Sequence, residues 1–129
     1  MISVLCVDDD SAYLDITKSF LEEPGALTVT TAHSVPAALK AMKMNGFDVV
    51  VADYQMPGMD GVAFLKAVRA VHPNLPFILF TGKEEEEVEI EAFNSVTDFY
   101  LQKGGEPTIK FAELEEKIKN AVKTHPGKK

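Results

Sequence analysis

The chain has no tryptophan and a single cysteine, Cys6, in 129 residues. One thiol excludes an internal disulfide, and a chain of this size can bury an adequate core without one. No apolar run approaches the ~18–20 residues of a membrane-spanning helix, so no membrane insertion is expected. Basic residues are in deficit: 13 Lys and Arg stand against 20 Asp and Glu, for a net charge of −7. That balance repels phosphate backbones, and no direct contact with nucleic acid is expected. His33, His72 and His125 are too scattered for a zinc site. Internal repeats and low-complexity linkers are missing, as is a secretory signal pattern. With the lone thiol, this fits a reducing cytoplasm. What remains is one domain, 46% apolar and 26% charged, the composition of a globular protein.

Five short apolar runs stand out: Ile2–Val7, Leu27–Ala32, Asp48–Ala52, Phe77–Thr81 and Asp98–Gln102. ISVLCV, DVVVA and PFILF are too uniformly apolar for half-exposed strands and read as central parallel strands buried on both faces. Segments of helical length lie between them. Leu14, Thr17 and Leu21 share one face of the first. Val35, Leu39 and Met42 share one face of the second, with Ser34 as N-cap before Pro36. The third starts at Asp60-Gly61 and aligns Phe64, Val68 and Val71. A fourth, Glu84 to Asn94, has Val88, Ala92 and Phe93 as its apolar side. The last, about Thr108 to Thr124, aligns Phe111, Leu114, Ile118 and Val122. Turn residues separate the segments, among them Pro24-Gly25, Asn45-Gly46 and Pro57-Gly58. Strand and helix alternate five times, which predicts a parallel sheet with helices on both faces and right-handed crossovers. The domain is expected over residues 1–124, with residues 125–129 as a frayed tail.

Ligands of open parallel sheets bind outside the carboxyl ends of the strands. The first strand ends in Asp8-Asp9-Asp10, the third in Asp53, the fourth in Thr81-Gly82 and the fifth in Lys103. Crowded carboxylates repel one another, and a hard divalent cation relieves them. Mg2+ takes one or two carboxylates, further oxygens and waters, and usually a phosphoryl oxygen. A phosphoryl group needs positive charge and donors, which Mg2+, Lys103 and the Thr81 hydroxyl supply. A carboxylate such as Asp53 can accept that group as an acyl phosphate. Asp10 and Asp60 read as helix caps instead. Three aspartates where a Gly-rich phosphate loop would stand argue against flavin or nucleotide binding.

These pieces, VLCVDDD, VVVADYQMPGMDG, ILFTGK and DFYLQKGG, closely resemble the receiver domain of two-component response regulators over nearly the whole chain. The resemblance implies a flavodoxin-like, doubly wound fold with five parallel strands in the order 2-1-3-4-5. It implies Asp53 as phosphoacceptor, with Asp8 and Asp9 as the acidic pair and Asp9 the more direct Mg2+ ligand. Gln55 would offer its backbone carbonyl to the metal. Thr81 and Lys103 match the switch hydroxyl and the phosphate-binding lysine, and Tyr100 the aromatic switch position. The partners implied are a histidine kinase or phosphotransfer protein upstream and a downstream protein. The latter would be met through the fourth helix, fifth strand and last helix, by a monomer or a phosphorylation-dependent dimer. The only catalysis expected is of the domain's own phosphorylation and dephosphorylation. At one position the pattern departs: Gly104-Gly105 follows Lys103 where the family commonly has proline.

Two other readings share the same residues. One is a receiver module within a larger hybrid kinase or regulator. The other is a phosphatase of the haloacid dehalogenase type, whose D-x-D is met by Asp8-Asp9-Asp10. That family wants Thr or Val where Ala12 stands, and this chain has no cap for substrate selection. Glu84–Glu87, Glu89 and Glu91 form an acidic run, read first as a solvated helix face and second as a determinant of partner choice. Met56 and Met59 read as turn packing, and Cys6 as core.

Overall fold

The computed structural model describes residues 2–53, 61–72, 75–81, 99–102 and 107–124. The strands are β1 (Ile2–Val7), β2 (Leu27–Ala32), β3 (Val49–Ala52), β4 (Phe77–Thr81) and β5 (Phe99–Gln102). Three helices follow the first three strands in turn, α1 (Ser11–Glu22), α2 (Val35–Met44) and α3 (Gly61–Val71), and a C-terminal helix spans Pro107–Thr124. The five strands are all parallel, in the order β2-β1-β3-β4-β5. The fold class expected from the alternation is therefore the one observed. The expected helix over residues 84–94 and the tail at 125–129 lie outside the described residues.

Right-handed crossovers leave β1 in one direction for β2 and return past it to β3, so α1 and α2 fall on opposite faces of the sheet. Side-chain alternation along each strand then splits the core in two. Leu5, Val7, Val50, Ala52, Phe77 and Leu79 meet Val35, Ala38, Phe64, Leu65 and Val68 of α2 and α3. Val4, Cys6, Val49, Val51, Ile78 and Phe80 meet α1 and the C-terminal helix through Leu14, Leu21, Phe111, Leu114 and Ile118. β3 is buried at every position, as its uniformly apolar sequence requires. β2, at the edge, alternates and exposes Thr28.

Local signals set the element ends. Asp10 and Ser34 cap α1 and α2, accepting from the N–H groups of Tyr13 at 3.0 Å and Ala37 at 3.2 Å. Each satisfies one of the free donors of a helix start. α1 leads into β2 through Gly25, whose φ of 87° lies in the left-handed region. β3 begins one residue later than its apolar run suggests. Asp48 stands outside it and brackets Ser3, donating from its backbone N–H to the Ser3 carbonyl and accepting the Ser3 N–H on its carboxylate, each at 2.8 Å. One core expectation is corrected: Val71, read as part of the inner face of α3, is 70% exposed. α3 ends at this residue, and Arg69 turns back to the carbonyls of His72 and Leu75 there, so the chain leaves the sheet before Val71 can be covered.

Candidate functional site

β1 and β3 are neighbours, and the chain departs from them in opposite senses, so a crevice opens at their carboxyl ends. Two ladder-like hydrogen bonds hold its edges. Asp8 N–H donates to the Ala32 carbonyl at 3.1 Å, and Asp53 N–H to the Val7 carbonyl at 3.0 Å. The side chains emerging at that edge are carboxylates. One oxygen each from Asp8, Asp9 and Asp53 lies within 4.8 Å of the others. Asp8 is 4% exposed and accepts the Asp10 N–H at 3.0 Å, while Asp53 is half-buried and Asp9 exposed. The cluster thus grades from a fixed inner carboxylate to one free to meet solvent.

Asp10 has no place in it. Its carboxylate is turned onto the first turn of α1, as a cap. Three hard oxygen donors gathered this closely match the preference of Mg2+. They do not suit a softer metal that selects nitrogen or sulfur.

Behind the cluster lies a small void between β1, β3, β4 and α1, lined by Asp8, Asp53, Cys6, Tyr13, Thr17 and Phe80. The Thr17 hydroxyl is buried and donates to the Tyr13 carbonyl at 2.8 Å. Burial pushes the Cys6 thiol up to about 12, and the negative charge of Asp8 adds to this. Cys6 is therefore a neutral core residue and no nucleophile. Tyr13 also meets Phe80 and Phe111, with ring centroids 6.0 and 5.6 Å apart. Tyr13 and Phe80 were not singled out as neighbours of the site by sequence. Their signal was present only in placement: Tyr13 follows the Asp8–Asp10 run, and Phe80 sits next to Thr81.

Thr81 closes β4 and pairs in register with Gln102 of β5, while Tyr100 pairs with Leu79. Both strands therefore end at the same edge as the carboxylates. Lys103, the next residue after β5, lies outside the described residues, as do Gln55, Met56, Met59, Gly82, the Glu84–Glu91 run and Gly104-Gly105.

A doubly wound parallel sheet with an acidic crevice at its switch point places the chain among the α/β domains that take their ligands at the carboxyl ends of the strands. A family model for the response regulator receiver domain matches residues 4–119, and the chain belongs to that family. The transcriptional regulatory protein ZraR of Salmonella typhimurium is 32% identical over 121 residues, 94% of this chain and 26% of that protein. The DNA-binding transcriptional regulator NtrC of Escherichia coli is 36% identical over 100 residues, 78% of this chain and 21% of that protein. The chain thus spans about a quarter of the length of these relatives. Among solved structures, the receiver domain of the Francisella response regulator 1452 superposes with a TM-score of 0.84 at 31% identity, covering 96% of this chain and 98% of that one. The response regulator TrrA of Thermotoga maritima, solved in complex with Mg(2+)-BeF, gives 0.81 at 28% identity over 94% of this chain and 99% of that one.

Proposed function

We propose that this domain is a phosphorylation switch, taking a phosphoryl group onto Asp53 from the phosphohistidine of a histidine kinase or phosphotransfer protein in the cytoplasm. The observation that carries this reading is the convergence of Asp8, Asp9 and Asp53 within 4.8 Å, in a chain of the receiver family. A carboxylate oxygen of Asp53 forms the new bond to phosphorus as the phosphorus–nitrogen bond breaks, and the imidazole nitrogen keeps the electron pair. Asp8, Asp9 and Asp53 would hold Mg2+, with the Gln55 carbonyl as a further ligand. When bound, the ion offsets carboxylate repulsion and the charge on the phosphoryl oxygens. The inner position of Asp8 fits an anchoring role, and the exposure of Asp9 fits a ligand met by an ion arriving from solvent.

Lys103 would neutralise the phosphoryl oxygens, and the Thr81 hydroxyl would donate to them. Phosphorylation adds about −1.5 to −2 of charge at Asp53. Movement of Thr81 toward that charge would free space for Tyr100 and change the face that residues 84–94, β5 and the C-terminal helix would form. The phosphoryl group would favour one of two pre-existing arrangements of that face, through which a downstream protein would bind. The same switch would serve as a module of a longer regulator, a reading favoured by the length of the curated relatives.

The test is labelling with a small phosphodonor, acetyl phosphate, with and without Mg2+. Asp53 should acquire a base-labile phosphoryl group only with the metal, and Asp53→Asn should acquire none. Equal labelling of the Asn variant overturns the assignment. For the switch, beryllofluoride with Mg2+ should move backbone NMR signals from Asp53 out to Tyr100 and residues 84–91. In Thr81→Ala the changes should stay near Asp53. Distant signals that move equally without the hydroxyl would refute the Thr81–Tyr100 coupling while leaving Asp53 intact.

A further inference from the structure

Far from the carboxylates, the second half of α2 and the end of α3 enclose an open groove of about 400 Å³. Helices in this fold run back from the carboxyl ends of the strands, so these helix ends lie at the opposite end of the sheet from Asp53. Leu39, Met42, Val68 and Val71 line the groove, with Lys43 and His72 beside them. Val71, within the groove, is 70% exposed, and Met44, 73% exposed, carries the apolar character past it.

The charge around it is unlike that of the chain as a whole. α2 and α3 contain Lys40, Lys43, Lys66 and Arg69 and not one carboxylate, in a protein of net charge −7. Lys40 and Lys43 are exposed, and neither forms an ion pair among the described residues. Arg69 is committed to the carbonyls at the end of α3. Asp48, the first acidic residue after α2, turns its carboxylate onto the Ser3 N–H.

We propose that this groove docks an amphipathic helix of a partner protein, with an apolar stripe to fill the groove and acidic residues flanking it. An apolar channel between two helices accepts side chains at i, i+3, i+4 and i+7 of a third helix. Lys43 at the groove, on two helices that contain no carboxylate, gives such a helix local attraction, while the acidic remainder of the domain repels it, which fixes where it lands. A flat anionic bilayer fits less well, because it would face the whole domain's negative charge and could not enter a concave channel. A second copy of the chain would bring a net charge of −7 against the same charge.

The probe is a capped helical peptide of about 16 residues, with leucines at i, i+3, i+4 and i+7 and glutamates on the flanks. A second peptide carries lysines in place of the glutamates. Binding to the full, unphosphorylated chain is read by fluorescence anisotropy and amide NMR shifts. The Glu peptide should shift Leu39, Met42 and Val71, with an affinity at least about tenfold above that of the Lys peptide. Lys43→Glu should reverse this preference, and Val71→Asp should weaken both peptides; both positions are exposed, so the variants should fold, as circular dichroism would verify. Equal binding of the two peptides, shifts confined to other faces, or no saturable binding would overturn the proposal. So would movement of the same signals with protein concentration alone, or with anionic phosphatidylglycerol vesicles but not with the peptide.

Discussion

The two faces of the sheet use the same kinds of strand residue to different ends. Against α2 and α3 the core contains, among the described residues, only apolar side chains, Phe64 and Phe77 among them with ring centroids 5.6 Å apart. Against α1 and the C-terminal helix, the core runs without a break into the acidic site. Phe111 touches Phe20, Tyr13 and Phe80, with centroids 5.4 to 6.4 Å apart, and Tyr13 and Phe80 line the void behind Asp8 and Asp53. One face holds the fold together, while the other also touches the groups that would bind metal and phosphate. Equal burial therefore does not mean equal consequence for function.

Truncations on the two faces sharpen this contrast most. Phe64→Ala and Phe111→Ala each remove a fully buried ring and should each cost about 3–5 kcal/mol, read by denaturant unfolding. The milder Phe64→Leu and Phe111→Leu keep the fold for a Mg2+ titration. Phe111→Leu should change the Mg2+-induced shifts of Asp8 and Asp53, while Phe64→Leu should leave them alone. Identical titrations would erase the distinction between the faces.

The site itself should show the tension between binding and stability. Three carboxylates within 4.8 Å repel one another in the metal-free protein. Asp8→Asn or Asp53→Asn removes one of those charges. Each should raise the metal-free stability by about 1 kcal/mol and abolish most of the stabilisation that Mg2+ confers on the natural chain. Thermal unfolding with and without Mg2+ measures both. A loss of metal-free stability in both variants would mean that hydrogen bonds to these carboxylates outweigh their repulsion.

Adjacent aspartates allow a finer separation. Asp10→Ala deletes the N-cap of α1 and should cost about 1 kcal/mol of stability while sparing Mg2+ affinity. Asp9→Ala removes an exposed member of the cluster, so its effects should be the reverse. Tyrosine fluorescence during Mg2+ titration, paired with unfolding curves, distinguishes them.

The fold was readable because period and punctuation agreed at nearly every element. β1, β2 and β4 match their apolar runs residue for residue, and Ser34 and Asp10 cap the helices that their positions suggested. The miss at Val71 has a physical reason. Helical spacing says which residues share a face but not where the sheet beneath that face stops. Asp48 was drawn into β3 because it adjoins the Val49–Ala52 run; in the fold its hydrogen bonds to Ser3 extend the ladder by one residue without strand geometry. In the site, the gathering of Asp8, Asp9 and Asp53 follows from strand ends alone, once the strand order is known. The aromatic backing from Tyr13 and Phe80 was hidden, since sequence spacing within one element cannot reveal contact between α1, β4 and the C-terminal helix.

The smallest expected effect lies at the outer rim of the site-bearing face, where α1 is tied to β2. Glu22 accepts the Val29 N–H at 2.8 Å and the Lys18 ammonium at 3.2 Å, and Lys18 also donates to the Val29 carbonyl at 2.6 Å. The Val29 hydrogen bond, aided by Lys18, holds the Glu22 carboxyl below its ordinary value. Because the folded form binds this proton less readily than the unfolded chain, the contribution to stability is complete above the ordinary carboxylate range. It is lost as the pH falls through the folded-state value. The side chains of Lys18 and Glu22 remain 43% and 33% exposed, so solvent screens the pair and the effect should stay under about 1 kcal/mol. Glu22→Gln retains a hydrogen-bond acceptor for Val29 but cannot ionise. Its stability deficit against the natural chain should be largest near about pH 7 and vanish near about pH 3. A deficit independent of pH would assign the role of Glu22 to shape and hydrogen bonding, and would detach the α1–β2 tie from electrostatics altogether.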